Sequence, residues 1–289
     1  YLSGDAITCW FDGDDGAAAV QSGLDMQRSM TALEDDRLAL KVAVAAGRAR
    51  RLVVGDPEQQ LLDVLAGPLV DVLAATEGIA ERGEVVVDES VLAALGGRLD
   101  VSSERVLPAL GRRVGVVAAM SPPVARRPVA PAPPLPVEVV GDWLLPDVYD
   151  RLSAGSELFL AELRTAYPIF VRFGGFDFDD DGVVDLLDDF VRAAQRTLGA
   201  YGGTLLGLTV GDKGAYINAV MGAPRSHEDD ARRAVAAALA IRKLEGRAGV
   251  SGIQVGVSVG RIYSGTYGAS VRRTLSVIGD PTNLAARLM

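Results

Sequence analysis

The sequence predicts an α+β fold, two α/β sandwich domains forming a pseudo-symmetric pair, and three observations predict it. The first is an internal repeat. The stretch beginning at Lys41 runs in register with the stretch beginning at Gln254, so that Gly47 pairs with Gly260 and Pro68 with Pro281, both 213 residues apart. Further upstream, SGDAITCWF from Ser3 pairs with VGDKGAYINAV from Val210, and each is followed by an Asp-Asp pair, Asp14-Asp15 or Asp229-Asp230, that opens an Ala-rich helix. Self-similarity on this scale marks one domain present twice. The second observation is a break in composition at 121–136, SPPVARRPVAPAPPLP. Proline at that density fixes φ and removes backbone donors, which makes a semi-rigid extended linker. The third is that β-branched runs alternate with amphipathic helical stretches in both copies, the mixture that packs helices on a mainly antiparallel sheet. The division that follows is a first domain over 1–120, a linker and connecting helix over 121–156, and a second domain over 157–289.

Taken in order, Leu2 to Phe11 predicts a hairpin around Gly4-Asp5. Asp14 and Asp15 supply an N-cap and favourable charge for a helix to Met30. Leu38 to Ala46 is a strand with Lys41 near its start, Arg50 to Val54 another, and Gly55-Asp56-Pro57 a turn. Val64 to Ala66, Gly67-Pro68 and Leu69 to Arg82 give strand, turn and helix, followed by a strand at Glu84 to Val87 and a short helix at Glu89 to Leu95. Helical spacing over Trp143 to Leu163 leads into the second copy. That copy opens with a strand at Tyr167 to Phe173 and an amphipathic helix at Asp185 to Leu198. A hairpin of Thr204 to Gly211 with Ala215 to Met221 and a helix at Asp229 to Leu244 come next. Strands at Gly252 to Val259, Arg261 to Tyr267 and Arg273 to Ile278 complete it.

Charge and cysteine usage bound the function. With 29 Lys plus Arg against 38 Asp plus Glu, the net charge of -9 disfavours nucleic acid and acidic membrane surfaces as partners and leaves room for a small charged ligand in a local basic pocket. The single cysteine, Cys9, excludes an internal disulfide, and without a signal peptide or long apolar run the chain reads as cytoplasmic. Cys9 lies in the apolar run ITCWF and reads as a buried structural thiol.

Chemistry concentrates in TLSVIGDPTNLAARLM, Thr274 to Met289. A β-branched run turns at Gly279-Asp280-Pro281 and continues with Asn283 and Arg287 four apart, hence on one helix face. An amide that orients a hydroxyl and a fixed cation that meets a phosphate equip a nucleotide site, while a solvated helix face is the plain alternative.

On the residues GDKGAYINAVMGAPRSHEDDARRAVAAALAIRKL and VIGDPTNLAARLM in the second copy and LSGDAITCWF in the first, both copies resemble class III nucleotidyl cyclase domains. The tandem arrangement is most similar to the bicarbonate-responsive soluble adenylyl cyclases and their large bacterial relatives. The resemblance implies conversion of ATP to 3′,5′-cyclic AMP and pyrophosphate with two Mg2+ or Mn2+ ions. It implies one site between the paired domains and a degenerate second one. Asp5 matches a metal Asp, Asn283 the ribose-orienting Asn and Arg287 the transition-state Arg. Lys41 and Arg48 fall where cations meet the triphosphate, and Ser276 where a residue reads the adenine. The resemblance also implies a chain shortened at both ends, lacking the strand that carries the other metal Asp, and further domains in its parent.

Departures from the pattern point to an alternative function. Leu206 and Gly207 stand where the family has a base-contacting Lys. Tyr1 stands at a bicarbonate-binding Lys position, and no Arg occurs from Leu69 to Glu81, so no bicarbonate response is expected. Arg172 replaces the second site's metal Asp, leaving Asp212 alone, and Val70 and Ala74 replace Asn283 and Arg287. A catalytically degenerate nucleotide-binding pair that regulates an attached domain is therefore the alternative. Finally, Asp177 to Asp188, DFDDDGVVDLLD, has the carboxylate spacing of an EF-hand loop, but the β-rich YPIFVRF precedes it and its twelfth position is Asp. A solvated loop leading into the helix is the competing reading.

Overall fold

In a computed structural model the residues described are 2–3, 6–13, 15–33, 35, 37–126, 133, 135–155, 162–211, 214–269 and 272–289. They group into two compact units, one of residues 6–50 and 66–132, the other of 51–65 and 133–289, with 2–5 beside the latter.

The chain begins with two short strands, β1 (Leu2–Ser3) and β2 (Ala6–Ile7). The first unit then carries α1 (Ala17–Thr31) and β3 (Val42–Val44). The hairpin β4 (Arg50–Val54) and β5 (Leu62–Ala66) follows. After it come α2 (Pro68–Ile79), β6 (Val85–Asp88), α3 (Glu89–Leu95), β7 (Leu99–Val106) and β8 (Arg113–Met120). Its sheet runs β3-β6-β8-β7, with β3 and β6 parallel and the other neighbours antiparallel. All four residues of β6 are buried, the pattern of a strand covered on both faces. Val85 and Val87 pack with Val20 and Leu24 of α1 and Val91 of α3. Val86 turns the other way, to Val114, Val116, Leu107 and Ala80, against which Ala75 and Ile79 of α2 pack.

Sequence and structure part at several places here. Gly16, at φ 99°, caps α1, and Asp15 acts one residue earlier by accepting from the Ala17 N–H at 3.1 Å; Asp14 lies outside the described residues. The strand expected over Leu38 to Ala46 is only β3, because the Leu40 carbonyl is taken by the Gln27 side chain (3.0 Å) and the Gly83 N–H (2.8 Å) instead of a ladder. The β7–β8 hairpin was not foreseen. Cys9 is exposed rather than buried, in a segment whose Ile7 and Trp10 are 68% and 51% exposed, so the apolar run ITCWF does not enter the core.

The second unit takes up residues 51–65 of the β4–β5 hairpin, which pack with it rather than with the first. The Gly55 N–H donates to Asp188 Oδ1 at 2.7 Å and the Asp56 N–H to Gln195 Oε1 at 2.8 Å, while Gln195 Nε2 donates to the Gln60 carbonyl at 2.8 Å. After α4 (Val137–Gly141) and α5 (Pro146–Ser153), β9 (Glu162–Gly174) is the spine of the sheet. The single helix expected over Trp143 to Leu163 is divided because Leu145, ahead of Pro146, is held extended at ψ 137°.

Around β9 are α6 (Val183–Ala200), β10 (Thr204–Gly211), β11 (Gly214–Met221) and α7 (Asp230–Arg242). The unit ends with β12 (Ser251–Val257), β13 (Gly260–Ala269), β14 (Arg272–Ile278) and α8 (Asp280–Leu288). One edge of β9 holds β11, backed by β10. The other holds β12 and then β13, consecutive antiparallel partners interrupted at Ser258-Val259, with β14 outside β13. Val171 and Phe173 face α6, where the Phe173 and Phe190 rings lie 4.7 Å apart. Arg172 and Phe170 alternate onto the opposite face, with Gln254 and Gly256 of β12 beside them.

Candidate functional site

The α8 segment is built from the sequence upward. Gly279, at φ 154°, lets the chain leave β14 with its backbone against Arg261 and Ile262, where a Cβ would lie 3.3 Å from the Arg261 carbonyl. Pro281 is pre-set for a first helical turn, and Asp280 places a carboxylate at the positive end of the helix. The Ser258 hydroxyl donates to the Pro281 carbonyl at 2.5 Å, tying that turn to the break between β12 and β13. One line of the helix is pressed onto the sheet. Ala285 is fully buried, and a Cβ on Gly256 would sit 2.1 Å from the Ala285 carbonyl. Only glycine permits that approach.

Away from this contact line, Asn283 and Arg287 are exposed one turn apart, as their spacing predicts. Arg287, in the last turn, also complements the helix dipole. Ser276 is half-buried on β14, opposite Gly265, in the strand that feeds the helix. These three share the second unit.

Lys41 and Arg48 belong to the first unit, at either end of β3. Lys41 is engaged by α2: its Nζ lies 2.5 Å from Glu77 Oε1 and 3.3 Å from the Glu77 carbonyl. Arg48 is exposed in the turn after Gly47. Asp5 lies outside the described residues. Among the described residues no group of three His, Cys, Asp or Glu side chains fits a metal ion. The acidic loop agrees with that result, since Asp188 accepts from Gly55 N–H and, at 2.6 Å, from Arg192 Nε, while Asp177 and Asp180 accept from the N–H groups of Asp179 and Gly182.

At the position where the resemblance puts a base-reading Lys, Gly207 faces Asn218 across β10 and β11, and a Cβ there would lie 3.0 Å from Asn218 Oδ1. That oxygen is buried and has no hydrogen-bond partner among the described residues. A second feature was not foreseen: a cleft of about 490 Å3 on the second unit, lined among others by Arg172, Phe176, Phe178, Ser251 and Gln254. The signal was present in FGGFDF, where aromatic residues punctuate the acidic loop.

No family model matches the chain, and no curated protein matches it. Solved structures similar to it include a bacterial light-regulated adenylyl cyclase, 19% identical, with 52% of this chain and 47% of that one covered at a TM-score of 0.42. The adenylyl cyclase CyaB from P. aeruginosa is 23% identical over 45% of this chain and 73% of that one, with a TM-score of 0.39. The guanylate cyclase domain of RhGC from Catenaria anguillulae, in complex with GTP, is 23% identical over 43% and 70%, with a TM-score of 0.36. The chain thus spans about half the length of the light-regulated enzyme. Adenylyl and guanylyl cyclases match alike, and neither substrate is singled out. No described helix is long and apolar enough to cross a membrane.

Proposed function

We propose that the chain is a nucleotidyl cyclase module that converts ATP to 3′,5′-cyclic AMP and pyrophosphate. Both repeats contribute to one competent site, and the second is degenerate. The observation that carries this reading is the pair Asn283 and Arg287, exposed one turn apart on a helix whose opposite line is locked to the sheet. A rigid support of this kind holds a catalytic group to the tolerance that positioning demands.

In the reaction the ribose 3′-oxygen bonds to the α-phosphorus, the bond from that phosphorus to the oxygen bridging toward the β-phosphate breaks, and the 3′-proton passes to solvent. The Asn283 amide orients the ribose, and the Arg287 guanidinium neutralises charge developing on the transferring phosphoryl group. Lys41 and Arg48 meet the triphosphate tail, which requires Lys41 to exchange Glu77 for phosphate oxygens. The Ser276 hydroxyl reads the base. Asp5 is the carboxylate we assign to Mg2+ or Mn2+. A protein of this kind acts within the cytoplasm, with ATP as its partner and neither nucleic acid nor membrane, in a parent carrying further domains.

One observation favours a second reading, in which the module binds nucleotide and regulates an attached domain: Gly207, packed against Asn218, leaves the expected Lys without a replacement. Incubation with Mn-ATP and, separately, Mn-GTP, with chromatography of the products, tests both. Cyclic nucleotide that falls roughly a hundredfold or more in Asn283→Ala and in Arg287→Ala, the scale of a lost transition-state contact, supports the cyclase. No cyclic product, with nucleotide still bound, rejects it in favour of the regulatory module.

A further inference from the structure

The cleft beside β9 lies wholly in the second unit and is separate in its residues from Asn283, Arg287 and Ser276. Its floor is set by strand register. Arg172 projects between Tyr216 of β11 and Gln254 of β12, both neutral. The guanidinium is exposed, and its one close polar neighbour among the described residues is Gln254 Oε1, at the 3.5 Å limit of hydrogen bonding. No described residue lining the cleft carries a carboxylate. Gly214, at φ 81°, has no side chain to crowd the guanidinium, whose Nε would be 3.9 Å from a Cβ there.

The opposite wall is aromatic. In Phe176-Asp177-Phe178 the rings line the cleft, 6.3 Å apart and tilted by 37°, while Asp177 turns its carboxylate onto the Asp179 N–H. Asp180 is likewise turned onto Gly182. The loop therefore offers π-faces to the cleft, with these two acids occupied by its own backbone. Ser251 and Gln254 add a hydroxyl and an amide at the rim.

We propose that this cleft binds a nucleoside phosphate without a metal ion, Arg172 gripping the phosphate and Phe176 and Phe178 packing on the base. The guanidinium fork matches phosphate oxygens, base stacking on aromatic rings tolerates any base, and about 490 Å3 lies within the size range of small-ligand sites. A chain of net charge -9 repels anions at long range, so recognition rests on this local cation. The proposal goes beyond the cyclase reading and stands or falls independently of it.

The test is calorimetric titration of the full chain with AMP in excess EDTA, beside adenosine and inorganic phosphate. We expect one AMP bound per chain, with adenosine and phosphate each at least tenfold weaker. Arg172→Gln should bring AMP down to the adenosine level and Arg172→Lys should restore part of the loss. Phe178→Ala should weaken AMP and adenosine alike, and Asn283→Ala should leave AMP within twofold of the parent. Any of three results overturns the proposal: no AMP binding at millimolar concentration, equal AMP affinity in Arg172→Gln, or loss of AMP binding in Asn283→Ala, which would assign the nucleotide to the α8 site. Exposure of Arg172 means its variants should fold, and an unchanged melting temperature checks that.

Discussion

The two copies of the helix that follows the Gly-Pro or Gly-Asp-Pro turn bury matching positions and carry different chemistry. Val72 of α2 and Ala285 of α8, 213 residues apart, are 6% and 0% exposed, and both helices begin on a proline. The remaining faces diverge: Val70 and Ala74 stand where Asn283 and Arg287 stand. Packing fixes the first set, because a buried side chain that changes volume is felt at once. The outer set is under no such constraint, so a site can be gained or lost there without disturbing the helix. The copies differ also in how tightly the helix is seated. Gly260 would place a Cβ 2.5 Å from Pro281 Cγ, whereas its counterpart Gly47 would place one at an ordinary 3.4 Å from Leu69 Cδ1. At Gly256, beneath Ala285, the first copy has Ala43.

Exchanging the divergent faces gives the largest expected effect. Asn283→Val with Arg287→Ala, which writes the first copy's residues into the second, should lower cyclic nucleotide formation by roughly a hundredfold or more. Its melting temperature should hold, since exposed substitutions away from caps and cores stay within about 0.5 kcal/mol. Val70→Asn with Ala74→Arg should leave the rate as it was. If the first exchange unfolded the second unit, or left the rate unchanged, the separation between a packed line and a chemical face would fail.

Next in size is a pair of glycine substitutions. Gly260→Ala forces Pro281 and the start of α8 outward and should cost about 1–3 kcal/mol, the usual toll of overpacking. Gly47→Ala meets only the flexible tip of Leu69 and should be neutral or slightly stabilising, since neither glycine has positive φ and alanine narrows the unfolded ensemble by about 0.4–1 kcal/mol. Urea unfolding of both variants reads the difference. Equal midpoints would show that the α8 end of the sheet yields as easily as the α2 end.

Local pattern carried much of this organisation. The four-residue spacing of Asn283 and Arg287, the proline-led turns and the strand runs of the second copy are all short-range signals, and the structure keeps them. The β7–β8 hairpin was harder because its first strand, LDVSSERV, alternates weakly and is mostly exposed. Cys9 misled because ITCWF has the composition of a core strand without the coverage of one. The engagement of Lys41 by Glu77, 36 residues away, and the capture of the 51–65 hairpin through Asp188 and Gln195 are long-range choices that no local window encodes. The cleft at Arg172 was hidden for the same reason, since β11 and β12 reach β9 from distant parts of the chain.

The smallest effect compares one ion pair from each unit. In the first, Glu84 accepts from Arg105 through both oxygens, at 2.7 and 2.5 Å, and also from the Glu81 N–H at 2.8 Å, with its side chain 19% exposed. In the second, Asp229 accepts from Arg233 Nε at 2.6 Å across one helical turn and is 49% exposed. Hydrogen bonds from the paired arginine lower both carboxyls below their usual range, ahead of the opposing effect of desolvation. A carboxyl depressed in the folded state contributes stability above its unfolded value, about 4.3 for Glu, and loses it as pH falls through the folded value. Glu84→Gln should therefore melt lower than the parent at neutral pH, by an amount on the order of 1.5 kcal/mol for a charged, shielded bond, and the two should converge below about pH 4. Asp229→Asn should melt with the parent at every pH, because an exposed pair at this spacing is screened and trades bond energy for side-chain entropy. A gap for Glu84→Gln that persists unchanged into acid would mean that shape, rather than the carboxylate charge, is what the first unit needs there.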